Sequence, residues 1–571
     1  MSVVLGVSAL YHDAAAALVV DGRLIVALQE ERLSRIKNDA SLPLRAARAC
    51  LRFAGIEAGA IDRVVFYENP FAKLERVLVG RIAAFPSGFG SFGAAMASQL
   101  GDKLWVLDRI AEGLGVDRAR VTFVSHHDAH AASAYLTSGF EPAAILTLDG
   151  VGEATTTAIY EGRGATLTRR SSVEHPHSLG LFYAAFTAWA GFSVNDGEQK
   201  LMGLAAYGKD TRRAEVKRVL RLEGDGAFTI DPRYVETMGA SELGFTPLLE
   251  KLVGPRRTPG KPWRLGAGEA DRVFADVARG VQNALEDAVL ALARRARREV
   301  DAVDLCLAGG VALNAVANAR VAVESGFERV FVHPAAGDAG GAVGAALLGA
   351  IELGDAVDRT PLASAALGVP ADPSRALAVA QELGLIAERV DDGAAHAGLA
   401  VAAGEIVAFV SGRSEWGPRA LGQRSLLAPA GPQEMRHRIH RAVKEREPFR
   451  PFAPASRASR AAASFEGIHP TMTRFMTTVA RARQPDDGAL GAVLHVDGTA
   501  RLQTVDGTSA PALDRVLVAM EAACGATSIL NTSLNAVGEP LCATELDAIA
   551  FFTERPVDLL VIEDVVIRRP R

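Results

Sequence analysis

The same run of elements is written twice into this chain, and that constrains the fold more than any single residue does. Near the start, Val3–Val7 reads as a buried strand, Ala15–Val20 as a second and Leu24–Gln29 as a third, with Asp21-Gly22 as the hairpin turn. His12 and Asp13 lie in the polar loop between the first two strands, and Glu30-Glu31-Arg32 leads into a helical segment around Pro43–Gly55. The plan recurs at Ala144–Val173. There the strand AILTLD runs into Gly150 and Gly152, TTTAIY follows, and a turn from Glu161 to Gly164 leads into ATLTRR. Hairpins are common, so two unrelated ones would read the same way; the alternative is an internal duplication with two related halves.

A duplication of this kind is the plan of the actin/hexokinase-type fold, whose halves enclose a nucleotide or substrate cleft. At 571 residues the chain also exceeds what one core ordinarily organises, which favours two to four domains. Val273–Val300 is predicted as a long helix with apolar residues at helical spacing, Asp304–Ala308 as a buried strand ending in Gly309-Gly310, and Arg329–Val332 as another. Gly340–Glu352 reads as a small-residue helix packed closely on a neighbour. The Pro- and Ala-rich stretch Asp358–Arg375 breaks this rhythm and marks a boundary. Beyond it a second α/β unit is expected, with strands at Ile406–Val410, Ala492–Val496 and Asp558–Ile562. The expectation is therefore an α/β protein, with a duplicated actin/hexokinase-like domain over 1–357 and a second α/β domain over 376–571.

The totals exclude several classes. Hydrophobic residues make up 49% and charged residues 23%, a globular profile, and the net charge of −5 gives no electrostatic footprint for nucleic acid. Four cysteines, Cys50, Cys306, Cys524 and Cys542, lie far apart with no C-x-x-C pair, which argues against a disulfide scaffold or zinc finger and suits a reducing compartment. The opening MSVVLGVSALYHD lacks a basic n-region and is expected not to be a signal peptide. No apolar run approaches the roughly 18 residues that a bilayer requires. A cytoplasmic protein without a membrane partner is expected.

In VSHHDAHAASAY, His126 and His130 stand at i and i+4, so on a helix both imidazoles project from one face within reach of one ion. A polar helix start carrying exposed histidines would read the same way. Asp149 ends an apolar strand and Asp338 sits in AAGDAGGAVG between a strand and a helix, where the alternative role is a helix N-cap. Two imidazoles and two carboxylates would suit Fe(II), Zn(II) or Mn(II) with an open position for substrate. Three glycine-containing loops are placed to cradle phosphate: the one around Lys200 and Gly203, the one from Gly309 and Gly310 to Asn314, and the one that Asp338 opens. None is a Walker A motif.

Taken in order, HDAAAAL, the H-x-x-x-H pair, LDG, KLMGLAAYGK, GGVALN and GDAGGAVG resemble the catalytic half of the NodU-type O-carbamoyltransferases, itself similar to the threonylcarbamoyl-transferase fold. Downstream, SGRSEWGPRALGQRS (411–425), KEREPFRPFAP (444–454), HVDGTARLQTV (495–505) and ILNTSLNAVGEPL (529–541) resemble the YrdC-like domain of the same family, which includes antibiotic and Nod-factor carbamoyltransferases. The resemblance covers nearly the whole chain. It implies that the YrdC-like domain joins carbamoyl phosphate to ATP, with Mg, to give carbamoyl-adenylate and pyrophosphate.

Clustered cations suit that chemistry, because two highly anionic reactants must meet. The resemblance assigns Arg419, Arg424, Lys444, Arg450 and Arg501, with Asn531, Ser533 and Asn535 adding hydrogen bonds. It further implies a metal on His126, His130, Asp149 and Asp338, with Fe(II) expected ahead of Zn(II) or Mn(II), and His12 as general base oriented by Asp13. Lys200, Gly203, Gly309, Gly310 and Asn314 match nucleotide-contacting motifs. A small-molecule hydroxyl, of the natural-product kind, is the implied acceptor, and a homodimer is compatible with it. Trp416 and Leu534 stand where Phe is common, and Gln199 with AAYGK departs from the usual pattern beside Lys200.

A threonylcarbamoyl-type tRNA-modifying enzyme shares both folds, but an acidic chain lacks the expected basic surface. A hydrogenase-maturation enzyme would carry C-x-x-C segments. A sugar or acetate kinase would not explain GPRALGQRS, and a non-catalytic nucleotide-binding protein is the alternative from outside enzymology. The stretches Asn69–Ala97 and Phe228–Gly260 are the expected acceptor-facing loops.

Overall fold

The computed structural model describes residues 1–83, 89–237, 244–266, 268–486 and 488–570. The proposed acceptor-facing stretches Asn69–Ala97 and Phe228–Gly260 therefore include residues 84–88 and 238–243, which lie outside the described set. The chain divides into two compact units, one made of Met1–Glu30 with Asn38–Pro361 and the other of Glu31–Lys37 with Leu362–Arg571. The division falls inside the Pro- and Ala-rich stretch, and a seven-residue segment from the N-terminal part of the sequence belongs to the second unit. In that unit Arg32 Nη2 donates to Gly417 O at 2.7 Å and Arg35 Nη1 to Leu541 O at 2.8 Å.

The first unit is built on two sheets of one topology. Strands β1 (Val3–Ser8), β2 (Ala15–Val20) and β3 (Arg23–Gln29) form an antiparallel meander, and β4 (Arg63–Phe66) and β5 (Val121–Phe123) extend it in parallel from the β1 side, in the order β3-β2-β1-β4-β5. In the second half, β6 (Ala143–Leu148), β7 (Thr155–Arg163) and β8 (Thr166–Glu174) form the meander, and Asp304–Ala308 and Arg329–Val332 extend it in parallel from the β6 side. Both halves thus follow the plan of three strands, helix, strand, helix, strand, helix. The duplication is real, and the fold is the actin-like one. All residues of β1 and β6 are buried, which explains their unbroken apolar runs: a strand with sheet neighbours on both sides and helices on both faces has no solvent-facing row.

Each half ends in a helix, His126–Ser138 in the first and Asp338–Glu352 in the second, and these two equivalent helices pack against each other. Their small residues set the approach. A Cβ on Gly344 would lie 1.8 Å from Ala129 O, so no other residue permits this contact. The close packing expected of the small-residue helix is thereby explained, and it brings the N-termini of both helices to one place.

The second unit is an eight-stranded mixed sheet. Its strand order is Ile386–Arg389, Val565–Arg568, Leu559–Ile562, Val407–Val410, Arg424–Pro429, Ser528–Ser533, Ala453–Arg457 and Gln503–Val505. Along Val407–Val410 the side chains alternate between two cores, Ala408 and Val410 on one face and Val407 and Phe409 on the other. One sequence expectation fails here. Ala492–Val496 is not a strand: Val493 N and Leu494 N both bond Leu490 O, closing a turn, while Ala492, Val493 and Leu494 are buried in the sheet's core. An apolar run reports burial, and a buried turn satisfies it as well as a strand. Among the described residues, no helix is long and apolar enough to cross a membrane.

Candidate functional site

The duplication assembles a site from four equivalent points. The loop after β1 carries His12, and the end of β6, its counterpart in the second half, carries Asp149. The N-termini of the two equivalent helices carry His126 with His130 and Asp338. Ser125 caps the first helix, its side chain accepting from Asp128 N, so the helix starts where both imidazoles fall on one face.

One ligand atom from each of His126, His130, Asp149 and Asp338 lies within 4.8 Å of the others. His126 Nε2 is 2.8 Å from Asp149 Oδ2 and 3.1 Å from His130 Nε2, and His130 Nε2 is 3.6 Å from Asp338 Oδ1. All four atoms converge on a common point, as donors to a single ion do. The third histidine of the motif turns away: His127 bonds Thr147 Oγ1 at 2.7 Å and Thr155 O at 2.8 Å. Burial and the neighbouring histidines push its imidazole down to about 3, so it is a neutral structural group.

The electrostatics of the cluster call for a cation. Two carboxylates share one buried pocket, and in the metal-free chain their charge is met by protons on the imidazoles. Burial alone would lower His126, but its hydrogen bond to Asp149 and the Asp338 charge override it and push it up to about 9. His12 follows the same logic. Burial opposes its charge, yet Asp338, 4.0 Å away, and Asp13, whose Oδ2 lies 3.0 Å from Nδ1, push it up to about 10. The donor set of two imidazole nitrogens and two carboxylates fits a divalent first-row ion.

Supporting groups hold the ligands in place. Gly310 N donates to Asp149 Oδ1 at 3.0 Å, and Tyr67 Oη to Asp338 Oδ2 at 3.3 Å. Gly309 adopts φ 89°, and a Cβ there would lie 2.2 Å from Leu148 O, so glycine alone lets this loop run against β6. Asn314 caps the helix Ala315–Glu324 through Ala317 N and pairs with Gln282 at 3.0 Å. Lys200 and Gly203 lie on the helix Glu198–Ala205, with Lys200 Nζ 4.0 Å from Asp196 and 5.9 Å above the Phe192 ring. Beside the ligand cluster opens a small cleft walled by Tyr11, Tyr67, Glu68, Lys73 and Arg76 and bordered by His126 and Asp338. Sequence reasoning missed Tyr67 and Glu153, the latter two residues after LDGV, and it covered Arg76 only as part of the stretch Asn69–Ala97 without singling it out.

In the second unit the cations gather as a group. Arg419 is buried, and burial with the Arg450 charge lowers its guanidinium to about 10. Arg501 and Arg446 are also held well below the usual arginine range by burial and by other arginines of this group. The Nε atoms of Arg446 and Arg501 are shielded from solvent without a hydrogen-bond partner among the described residues. Arg419, Arg446 and Arg501 are thus lowered by burial and by neighbouring guanidinium groups, Arg450 among them, a concentration of positive charge that suits polyanions. Arg446 was not among the sequence candidates, although it sits between Lys444 and Arg450 in the same motif.

Lys444 Nζ donates to Asn535 O and Oδ1, each at 2.8 Å, and to Ser533 O. Ser533 Oγ donates to Asn535 Oδ1 at 2.6 Å, and Asn531 Nδ2 to Gln503 Oε1 at 2.7 Å. Arg424 is placed differently. Its guanidinium is spent on the carbonyls of Ser411, Gly412, Gln423, Ala543 and Val369, which makes it a brace for the surrounding loops.

The chain has relatives among known proteins. Residues 3–347 match the family model described as Carbamoyltransferase N-terminus, and residues 399–569 the one described as Carbamoyltransferase C-terminus. An uncharacterized protein of Synechocystis sp. is 37% identical over 100% of this chain and 97% of its own length. Nodulation protein NolNO of Sinorhizobium fredii is 36% identical over 98% of this chain and 79% of its own length. The 3'-hydroxymethylcephem-O-carbamoyltransferase of Streptomyces clavuligerus is 35% identical over 48% of this chain and 50% of its own length.

Proposed function

The chain belongs to the carbamoyltransferase family, and from that premise we propose that it forms carbamoyl-adenylate in its C-terminal unit and passes the carbamoyl group to the hydroxyl of a small natural-product-like acceptor in its N-terminal unit. The observation that carries this reading is the occurrence in one chain of a largely desolvated, mutually repelling arginine group, of which Arg419 is buried and the others half-buried, and a His₂Asp₂ cluster with a histidine beside it.

Atom balance sets the first half-reaction. Water releases phosphate from carbamoyl phosphate, a carbamate oxygen then attacks the α-phosphorus of ATP, and pyrophosphate leaves. Arg419, Arg446, Arg450 and Arg501 supply the positive field that brings these anions together. Lys444, already bound to Ser533 and Asn535, stands ready to bond a phosphoryl or carbamoyl oxygen in their place.

In the second half-reaction the acceptor oxygen attacks the carbamoyl carbon, AMP leaves, and the hydroxyl proton must be removed. His12 is the group to take it. In the metal-free chain the Asp338 and Asp13 charges keep it protonated, and it becomes a base at neutral pH once the charge on Asp338 is balanced. A divalent ion on His126, His130, Asp149 and Asp338 would provide that balance and would polarise the carbamoyl oxygen as a Lewis acid. Fe(II) is our first choice, with Zn(II) and Mn(II) compatible with the same donors.

The test is to incubate the protein with ATP, Mg²⁺ and carbamoyl phosphate, following pyrophosphate, phosphate and AMP, and to screen hydroxylated acceptors by mass for the gain of one carbamoyl group. Pyrophosphate release that requires carbamoyl phosphate, lost in Arg501→Met and kept in His12→Ala, is expected. Pyrophosphate release that ignores carbamoyl phosphate overturns the reading.

A further inference from the structure

Among the described residues, one cation of the cleft beside the ligand cluster has no hydrogen-bonded or ion-paired partner. Arg76, on the helix Pro70–Ala83, is half-buried, and its Nε is shielded from solvent without a hydrogen-bond partner. Among the described residues it makes no hydrogen bond and no ion pair. The carboxylates whose fields reach it are engaged elsewhere. Glu68 is held by Lys73 Nζ at 2.6 Å, and Glu153 Oε1 accepts from Asn69 N at 2.8 Å and His126 N at 2.9 Å. Lys73, the other cation of the cleft, thus has a direct carboxylate partner, and among the described residues Arg76 has none.

An arginine without a direct acceptor in a half-buried cleft loses solvation and recovers only the through-space fields of Glu68 and Glu153. Its five donors in a planar fork match a carboxylate or phosphate. The wall also carries two aromatic rings, Tyr11, whose ring centroid lies 4.6 Å from that of His12, and Tyr67, whose hydroxyl is turned to Asp338, together with Val151 and with Glu68, which is tied to Lys73. A ligand seated here therefore meets aromatic faces along its body, the His12 side at one end and a single cation at the other.

We infer that Arg76 is the specificity-determining residue for the acceptor, and that the acceptor carries a carboxylate or phosphate in addition to the hydroxyl that is carbamoylated. This rests on the transfer reading above. The same anion chemistry is present in the donor, whose adenylate has a phosphate, so the two sources have to be separated.

Matched acceptor pairs do this. Hydroxymethylbenzoates, uronic acids and hydroxy amino acids are each compared with their methyl esters in the metal-loaded protein with ATP, Mg²⁺ and carbamoyl phosphate, and carbamoylated product is counted by mass. The acid of at least one pair should have a kcat/KM roughly 10- to 100-fold above its ester, the range that charge-assisted hydrogen bonds provide. Arg76→Met should collapse that ratio toward one, mainly through KM, and Arg76→Lys should restore part of it, which a merely structural arginine would not do. A panel in which no acid outruns its ester, whether or not any reacts, overturns the proposal. If Arg76→Met weakens AMP binding by calorimetry and leaves the acid-to-ester ratio unmoved, the anion is the donor's and the acceptor assignment falls. Absence of carbamoyl phosphate-dependent pyrophosphate release in the unsubstituted protein would instead remove the transfer reading itself.

Discussion

Gly310 donates its backbone N–H to Asp149 Oδ1 at 3.0 Å, so a loop after the second half's fourth strand steers a ligand at the end of its first. Gly310 is not in the left-handed region, so alanine fits its backbone. The methyl group would nonetheless sit 3.0 Å from Asp149 Oδ1, where the carboxylate has to yield. Gly310→Ala is expected to weaken metal affinity about 10- to 100-fold, the usual cost of disturbing a group that orients a ligand. Competition against a chromogenic chelator measures it, and unchanged affinity would show that Asp149 needs no such steering.

Metal binding should release protons. In the metal-free chain His126 titrates at about 9 and His130 above its ordinary value, because Asp149 and Asp338 outweigh the effect of burial. A ligating imidazole must be neutral, so affinity rises with pH up to about 9. The sign for folding is opposite. A raised histidine contributes stability that is complete below its ordinary value of 6.5 and lost as pH rises through about 9. Metal-free protein should therefore weaken over that window, while metal-loaded protein should not. Calorimetry at pH 7 in buffers of different ionisation heat should find at least about one proton released per ion; none released would show that the cluster is already neutral.

The arginine group of the second unit should trade stability for function. Arg501 lies among Arg419, Arg446 and Arg450, and its half-buried charge is disfavoured by desolvation and by theirs, which a bound anion would relieve. Arg501→Met is expected to raise the melting temperature of the ligand-free protein by about 2 °C or more, by removing that repulsion. It should also abolish most of the stabilisation that pyrophosphate gives the unsubstituted protein. Thermal unfolding with and without pyrophosphate decides the matter, and a lowered ligand-free midpoint would identify Arg501 as a structural cation.

These residues also show where sequence was informative. The duplication was readable because β1 and β6 are buried throughout and write themselves as apolar runs, and His126 with His130 because helical spacing puts i and i+4 on one face. Asp304–Ala308 and Arg329–Val332 match their expected limits for the same reason. Direction within a loop was not readable. Arg419 and Arg424 stand five residues apart in one motif, yet one joins the arginine group and the other is consumed by backbone carbonyls. Tyr67 reaches the cleft only through tertiary packing, for which a strand end carries no local mark, and Arg76 was readable only as one residue of the stretch Asn69–Ala97.

The difference between those two arginines traces to Glu415. Its Oε1 accepts from Leu421 N, Gln423 N and Arg424 N, each at 2.9 Å, and the side chain is 2% exposed. The loop is wound around this carboxylate, which fixes Arg419 on one side and points Arg424 back into the carbonyls of Ser411 and Gly412. Hydrogen bonds to a charged acceptor contribute about 1.5–3 kcal/mol each, against about 1 for neutral pairs. Glu415→Gln keeps the shape and loses the charge, so it should destabilise the second unit by about 1–3 kcal/mol. Glu415→Ala leaves three buried N–H groups unanswered and should cost more. Carbamoyl phosphate-dependent pyrophosphate release should fall about tenfold or more in both variants as Arg419 loses its place, while metal affinity in the first unit holds. Denaturant unfolding alongside the pyrophosphate assay reads both effects, and a Glu415→Ala protein with unchanged stability and release would show that the loop keeps its form without the carboxylate.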